Sequence, residues 1–301
     1  MKLAVSLFLT CLFAIPRVAA QDASGTTSKS ALFWKATSEK NVTYLLGSIH
    51  LGSKDMYPLP KEIEDAFDSS TALAVEVDII HVDKAKLQVL IRDLGLYPGD
   101  DLLWNHVSEK TRQNVEQFCS TYGLPADKIA KMKPWMVAVS AGLITMMKIG
   151  MSTELGIDRY FLEKAEKAHD KKRVVEIESA DWQLKLLSGL AAGLEEKFLD
   201  ASVEDLARMP ERMKRIQEIW MRGDADRLDK LLNEPSRVPE QVKKALLQDR
   251  NPHMADVAEQ FLNGTEQAFV VVGAAHMVGK DGIIEILRKR GYSVEQVSLK
   301  Q

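Results

Sequence analysis

Cysteine is nearly missing from this chain. Two occur in 301 residues, and Cys11 lies in an apolar opening that reads as a leader, which leaves Cys119 alone. A single thiol excludes an internal disulfide, so stability has to come from a packed core. A chain of this length buries enough surface to build one. Exported chains without disulfides fit a bacterial periplasm better than a disulfide-dense extracellular setting. An excess of positive charge is also lacking: 40 Lys and Arg face 43 Asp and Glu, and without Lys2 and Arg17 the balance is 38 to 43. No basic stripe is evident, which argues against nucleic acid as a partner. Long apolar runs are absent as well. "PWMVAVSAGLITMMKIG" is interrupted by Lys148 and is too short to span a bilayer. It predicts a buried central helix that opens at Pro134, and no transmembrane span is expected in the mature chain.

Several catalytic signatures are missing too. The chain has no HExxH and no GxSxG, which removes the zincin and nucleophile-elbow readings. "GAAHMVGKDG" fails as a phosphate loop, because five residues separate Gly273 from Gly279 and Asp281 follows Lys280, where four residues and a Ser or Thr are required.

What is present begins with "MKLAVSLFLTCLFAIPRVAA". Its basic start, apolar centre and closing Val18-Ala19-Ala20 read as a secretory signal peptide over residues 1–20, so a periplasmic or secreted location is expected. Residues 21–31 are small and polar and read as a disordered leader. Residues 32–301 then form one domain. "LFWKATS" and "NVTYLLGSI" predict a strand pair around Glu39–Lys40. "LPKEIEDAFDSS" predicts a helix from Ile63 and Phe67 at i, i+4, and "TALAVEVDI" a further strand. The middle, about 83–170 and again 181–262, is helical apart from the strand "KKRVVEIES". The chain closes on strand "AFVVVG", helix "DGIIEILRKRG" and strand "YSVEQVSL". The expected fold is α/β: a central mixed sheet formed by the N- and C-terminal segments, with a large helical insertion between them.

Two phrases echo one another from the two ends of the chain. "YLLGSIHLG" and "FVVVGAAHMVG" each run from a β-prone stretch to a glycine and place a histidine three residues later, at His50 and His276. Glycine lets a strand turn tightly and leaves room for a ligand, and strand ends are where α/β sheets hold ligands. Imidazole at such an edge serves as a metal ligand or as a general acid or base. His81, His106, His169 and His253 lie in polar surroundings and read as solvated. A metal needs a further ligand. Glu76 interrupts an apolar strand and, if buried, requires a partner; the alternative is that it faces solvent beside Asp78. Glu178 is the second carboxylate, with Glu176 on the same face. Asp158 opens a helix and reads as a cap. Arg250, with Asn251 beside it, is the candidate substrate contact, able to grip an anionic group or a carboxylate in bidentate fashion, and in a hydrolase it is also the catalytic candidate for holding a developing oxyanion; the alternative is a cation at a helix end.

In order along the chain, "LLGSIHLG", "LAVEVD", "KPWMVA", "GID", "EIESADWQ", "WMRGD", "DRN" and "FVVVGAAHMVGKDGI" resemble the TraB/PrgY/GumN family, which includes the Tiki proteins. The chain departs from the usual pattern at "EIE" ahead of Gln183 and in "RNPHM", which lacks the frequent aromatic. The resemblance implies an erythromycin esterase- or ChaN-like fold with its site at the strand ends. It also implies a metal-dependent peptidase using the two GxxH histidines and a glutamate, matched here at His50, His276 and Glu76. The expected ion is divalent (manganese, cobalt or zinc), with Glu178 as an alternate or supporting carboxylate and Glu76 as ligand or general base. A peptide or other small molecule is the expected substrate. The rival expectation is a non-catalytic binding protein for a metal, haem or a peptide signal.

Overall fold

The computed structural model describes residues 31–168, 172–190 and 193–299. The signal-peptide reading, nearly all of the expected leader and His169 lie outside these residues; Ala31, assigned to the leader, is fully buried. The fold is α/β, built on a mixed six-stranded sheet. Its strands are β1 (Phe33–Thr37), β2 (Val42–Ser48), β3 (Ala72–Val75), β4 (Arg173–Glu176), β5 (Ala268–Gly273) and β6 (Ser293–Gln296), in the order β4-β3-β5-β2-β1-β6. β4, β3, β5 and β2 run parallel. β1 is antiparallel to both β2 and β6. The first and last segments of the chain therefore do share one sheet, with β5 seated between β2 and β3.

Composition explains the order. Every residue of "ALAV" in β3 and "AFVVVG" in β5 is buried, as expected of central parallel strands covered on both faces. The outermost strands carry Arg173 and Glu176, and Ser293, Glu295 and Gln296; exposed charge at a sheet edge discourages pairing with other chains. One face of the sheet is closed by aromatic packing. Phe269 of β5 lies 5.6 Å from Phe67 and 4.8 Å from Phe161, centroid to centroid. Those rings belong to helices Lys61–Ser69 and Ile157–Lys167.

A second core lies among helices Lys84–Gly95, Glu109–Tyr122, Pro134–Lys148, Ala180–Gly189 and Glu195–Asp205, where Ile91, Val115, Trp135, Met136 and Leu199 are buried. The helix Pro134–Lys148 is buried over its first half and emerges at Met147 and Ile149. Among the described residues no helix is long and apolar enough to cross a membrane. Asp83, Ser108 and Ser179 cap the helices that follow them through their side chains, and Gly123 ends one in the left-handed region at φ 65°. Gly95 differs from that pattern: it is the last residue of its helix without a left-handed φ, and a Cβ there would overlap Met136 Sδ, so its role is close packing between helices.

Candidate functional site

The parallel strands end side by side. Ser48 of β2 pairs with Gly273 of β5, and Val75 of β3 pairs with both Val271 of β5 and Glu176 of β4. The residues just past these ends meet at one sheet edge. His50 follows β2, Glu76 follows β3, Glu178 follows β4, and His276 sits on the turn Ala274–Met277 after β5.

The His50 loop is clamped. Gly52 and Ser152 exchange backbone hydrogen bonds, and Ile157 N–H donates to Ile49 O at 3.1 Å. A Cβ on Gly52 would overlap Leu155 O, and one on Gly156 would overlap His50 O, so both glycines permit contact between backbones. The clamp brings Asp158 to His50: Asp158 Oδ2 lies 2.8 Å from His50 Nδ1, and Oδ1 accepts from Ser48 Oγ at 2.9 Å. Asp158 therefore does more than open its helix. His276 is buried, and its Nδ1 lies 2.6 Å from Asn251 Oδ1. The Asn251 amide is held by donating to Asp281 O at 2.7 Å. A carboxylate and an amide oxygen only accept, so each ring carries its hydrogen on Nδ1. Both Nε2 atoms then face the same atom: each lies 3.9 Å from Glu76 Oε1.

Glu76 is 5% exposed, which excludes the solvent-facing alternative. Its Oε1 accepts the Gly273 N–H at 2.6 Å, and its Oε2 accepts from Arg250 Nη2 at 2.9 Å and from Gln183 Nε2 at 3.3 Å. Arg250 also grips Glu178 with Nε at 2.9 Å and Nη2 at 2.6 Å, and donates Nη1 to Leu246 O. Gln183 donates to Glu178 as well, at 2.9 Å. Of the sequence alternatives, Arg250 shows both bidentate pairing with a carboxylate and a helix-end contact, since Leu246 is the last residue of the helix Glu240–Leu246. Asn251, expected as a substrate contact, is buried and engaged at both ends of its amide, with Oδ1 beside His276 and Nδ2 donating to Asp281 O. Glu176 is exposed and accepts from Asp78 N–H. His81 and His106 are exposed beside Asp78 and Asp101, and His253 lies 3.1 Å from Ile177 O.

Charge is polarised across the site. Burial pushes the Glu76 carboxyl up, but His50, His276, Arg250 and the Gly273 N–H outweigh it and hold it down to about 2. Burial lowers His276 to about 4, leaving a neutral ring with a bare Nε2 at neutral pH. The Asp158 charge raises His50 to about 10 against opposing burial. The His50 side chain is 55% exposed, so water screens part of that attraction; the direction is upward.

The donor chemistry suits a divalent ion. Two ring nitrogens and one carboxylate oxygen converge, His50 Nε2 becoming a donor once an ion displaces its proton, and each ring is oriented through its far nitrogen, as metal-bound histidines are. A Cβ on Gly273 would stand 3.2 Å from Glu76 Oε1, 3.3 Å from His50 Nε2 and 3.5 Å from His276 Cδ2. The glycine thus leaves a gap that these three side chains enclose. The spacing is open: among the described residues no group of three His, Cys, Asp or Glu is close enough to form a ready ion site. Donors about 2.1 Å from one tetrahedral ion stand roughly 3.4 Å apart, so the 3.9 Å separations would have to contract by several tenths of an ångström.

The TraB/PrgY/gumN family model matches residues 32–296. The chain belongs to that family. It is 26% identical over 247 residues to the uncharacterized protein YbaP of Shigella flexneri, covering 82% of this chain and 88% of that one. It is 26% identical over 246 residues to YbaP of Escherichia coli K12, covering 81% and 87%. It is 22% identical over 300 residues to an uncharacterized protein of Treponema pallidum, covering 94% and 87%. No solved structure matches the chain.

Sequence reasoning missed Asp158 as the partner of His50, and Gln183 as the link between Glu76 and Glu178. Asp158 left one signal, the run "LGID", whose glycine and acid accompany a loop that packs backbone to backbone.

Proposed function

We propose that this protein is a metal-dependent hydrolase of peptides, with His50, His276 and Glu76 holding a divalent ion of the manganese, cobalt or zinc type. The observation that carries the reading is the convergence of two oriented imidazole Nε2 atoms on one oxygen of a buried carboxylate. A divalent ion bound there supplies Lewis acidity to a scissile carbonyl and an acidified water. The chain's own residues do the positioning. Asp158 and Asn251 hold the rings, while Arg250 and Gln183 hold Glu76 Oε2 so that Oε1 faces the histidines. Glu178 balances Arg250, and contact between Arg250 and a substrate requires its release from Glu178. Export across the inner membrane belongs to the same reading, supported by the leader-like composition of residues 1–20, as does an erythromycin esterase- or ChaN-like ancestry.

The test is incubation of a peptide mixture with the protein and added manganese, cobalt or zinc, read by mass spectrometry. Cleavage abolished by chelation, and lost in His50→Ala and His276→Ala proteins that still fold, is expected. Intact peptides under every ion overturn the hydrolase. One observation favours the rival of binding without turnover: the Arg250 guanidinium is already engaged by Glu76, Glu178 and Leu246 O, so it is not poised to meet a developing oxyanion. Intact peptides retained by the protein would support that rival.

A further inference from the structure

A cleft of about 360 Å³ opens beside the histidine pair, with His50, Glu76 and Asp158 at its polar end. Elsewhere its walls are mainly aliphatic, with Thr153, Arg159 and Gln183 the polar exceptions. Leu51 and Ile79, from the loops after β2 and β3, pack on the sheet core, whereas Leu87, Val139 and Leu184 belong to the helical core. The cleft is therefore the seam between two cores, a usual place for a ligand, and its size lies within the range of ligand sites. Leu143 and Leu187 also line it and are only half-buried, so apolar surface is left facing a concavity. The one cation on the wall away from the polar end, Arg159, is paired with Glu154 and Glu163. An entering charged side chain would lose its hydration without a partner, and an aliphatic one would gain from burial.

We propose that this cleft is the subsite for aliphatic side chains of the substrate, which makes the preferred substrate a neutral peptide segment carrying Leu-, Ile- or Val-sized residues next to the amide presented to Glu76 and the histidines. The word substrate rests on the hydrolase reading, but occupancy of the cleft does not require turnover.

The experiment is fluorescence anisotropy of the full chain in EDTA with fluorescein-labelled Ala-Leu-Val-Leu-Ala and its Ala-Ser-Asp-Ser-Ala counterpart. The aliphatic peptide is expected to bind at least tenfold more tightly. Leu143→Trp, which fills the cleft, and Leu187→Asp, which charges it, are each expected to weaken that binding at least tenfold. Val89→Ser, an exposed apolar site that does not line the cleft, leaves it unchanged. Equal binding of the two peptides overturns the proposal, and so does unaltered binding by a folded Leu143→Trp protein. The hydrolase reading fails separately: tight aliphatic binding without cleavage under any ion keeps the subsite and removes the enzyme, whereas equally fast cleavage of both peptides keeps the enzyme and removes the subsite.

Discussion

Replacing Arg250 with methionine keeps an apolar stem of similar length and deletes one positive charge between two buried carboxylates. The side chains of Arg250, Glu76 and Glu178 are 10%, 7% and 3% exposed, so water cannot take over the lost pairing. Removing one partner of a buried ion pair costs about 3–5 kcal/mol. For a domain of this size that corresponds to a fall in Tm of roughly 6–20 °C. The pH dependence follows from Glu76. Its carboxyl is held down to about 2 in the folded state from an ordinary 4.5, so its stabilisation is present above the unfolded value and is lost as pH falls from about 4.5 toward 2. Without Arg250 the Glu76 carboxyl protonates at higher pH, so the variant's deficit is largest near neutrality and shrinks toward pH 4. Adding Glu178→Gln to Arg250→Met removes one of the stranded charges and should recover part of the loss, with a coupling of about 1–3 kcal/mol. Thermal and urea unfolding followed by circular dichroism at pH 7 and pH 4.5 read the Tm, the pH dependence and the coupling. A Tm within about 2 °C of the parent, with an unchanged pH profile, would refute the view that Arg250 holds Glu76 in place.

Asp158→Asn removes the anion that raises His50 to about 10, so the ring's titration midpoint should fall back toward 6.5; histidine ¹⁵N NMR measures it, and an unmoved midpoint contradicts the pairing. In the parent that contribution to stability is full below about 6.5 and is lost as pH rises through about 10. Asn251→Ala leaves His276 Nδ1 without its acceptor and should weaken ion binding by roughly 10–100-fold in Mn²⁺ calorimetry, with unchanged affinity as the contrary result. Gly52→Ala drives a Cβ into Leu155 O, forces the clamped loops apart and should cost about 1–3 kcal/mol in denaturant unfolding; parental stability would show that the loops are not in contact.

Much of the sheet was legible because β-prone apolar runs at both ends of the chain have no other way to bury themselves. "AFVVVG" reads as a central strand and becomes one over its whole length. Glu76 was legible as a carboxylate needing partners, because a charge inside "LAVEVDI" cannot be buried alone. Its partners were less so. Asp158 has the same local signature whether it caps a helix or reaches a histidine more than a hundred residues away; only the packing of the 152–157 loop on the 49–52 loop decides. Arg250 and Asn251 present the same donors to a substrate or to a neighbour, and burial, a property of the whole fold, turns them inward. The seam between two cores was not legible either, because periodicity marks which side of a helix is apolar but not which core receives it.

The most direct measurement of the central claim is calorimetric titration of chelator-treated protein with Co²⁺, repeated on His50→Ala, His276→Ala and Glu76→Gln. One equivalent bound by the parent, with at least a hundredfold loss in each histidine variant and a clear loss in Glu76→Gln, is the predicted result. Cobalt affinity equal to the parent's in folded His50→Ala and His276→Ala proteins would contradict the claim that the two ends of the chain join to make one ion site.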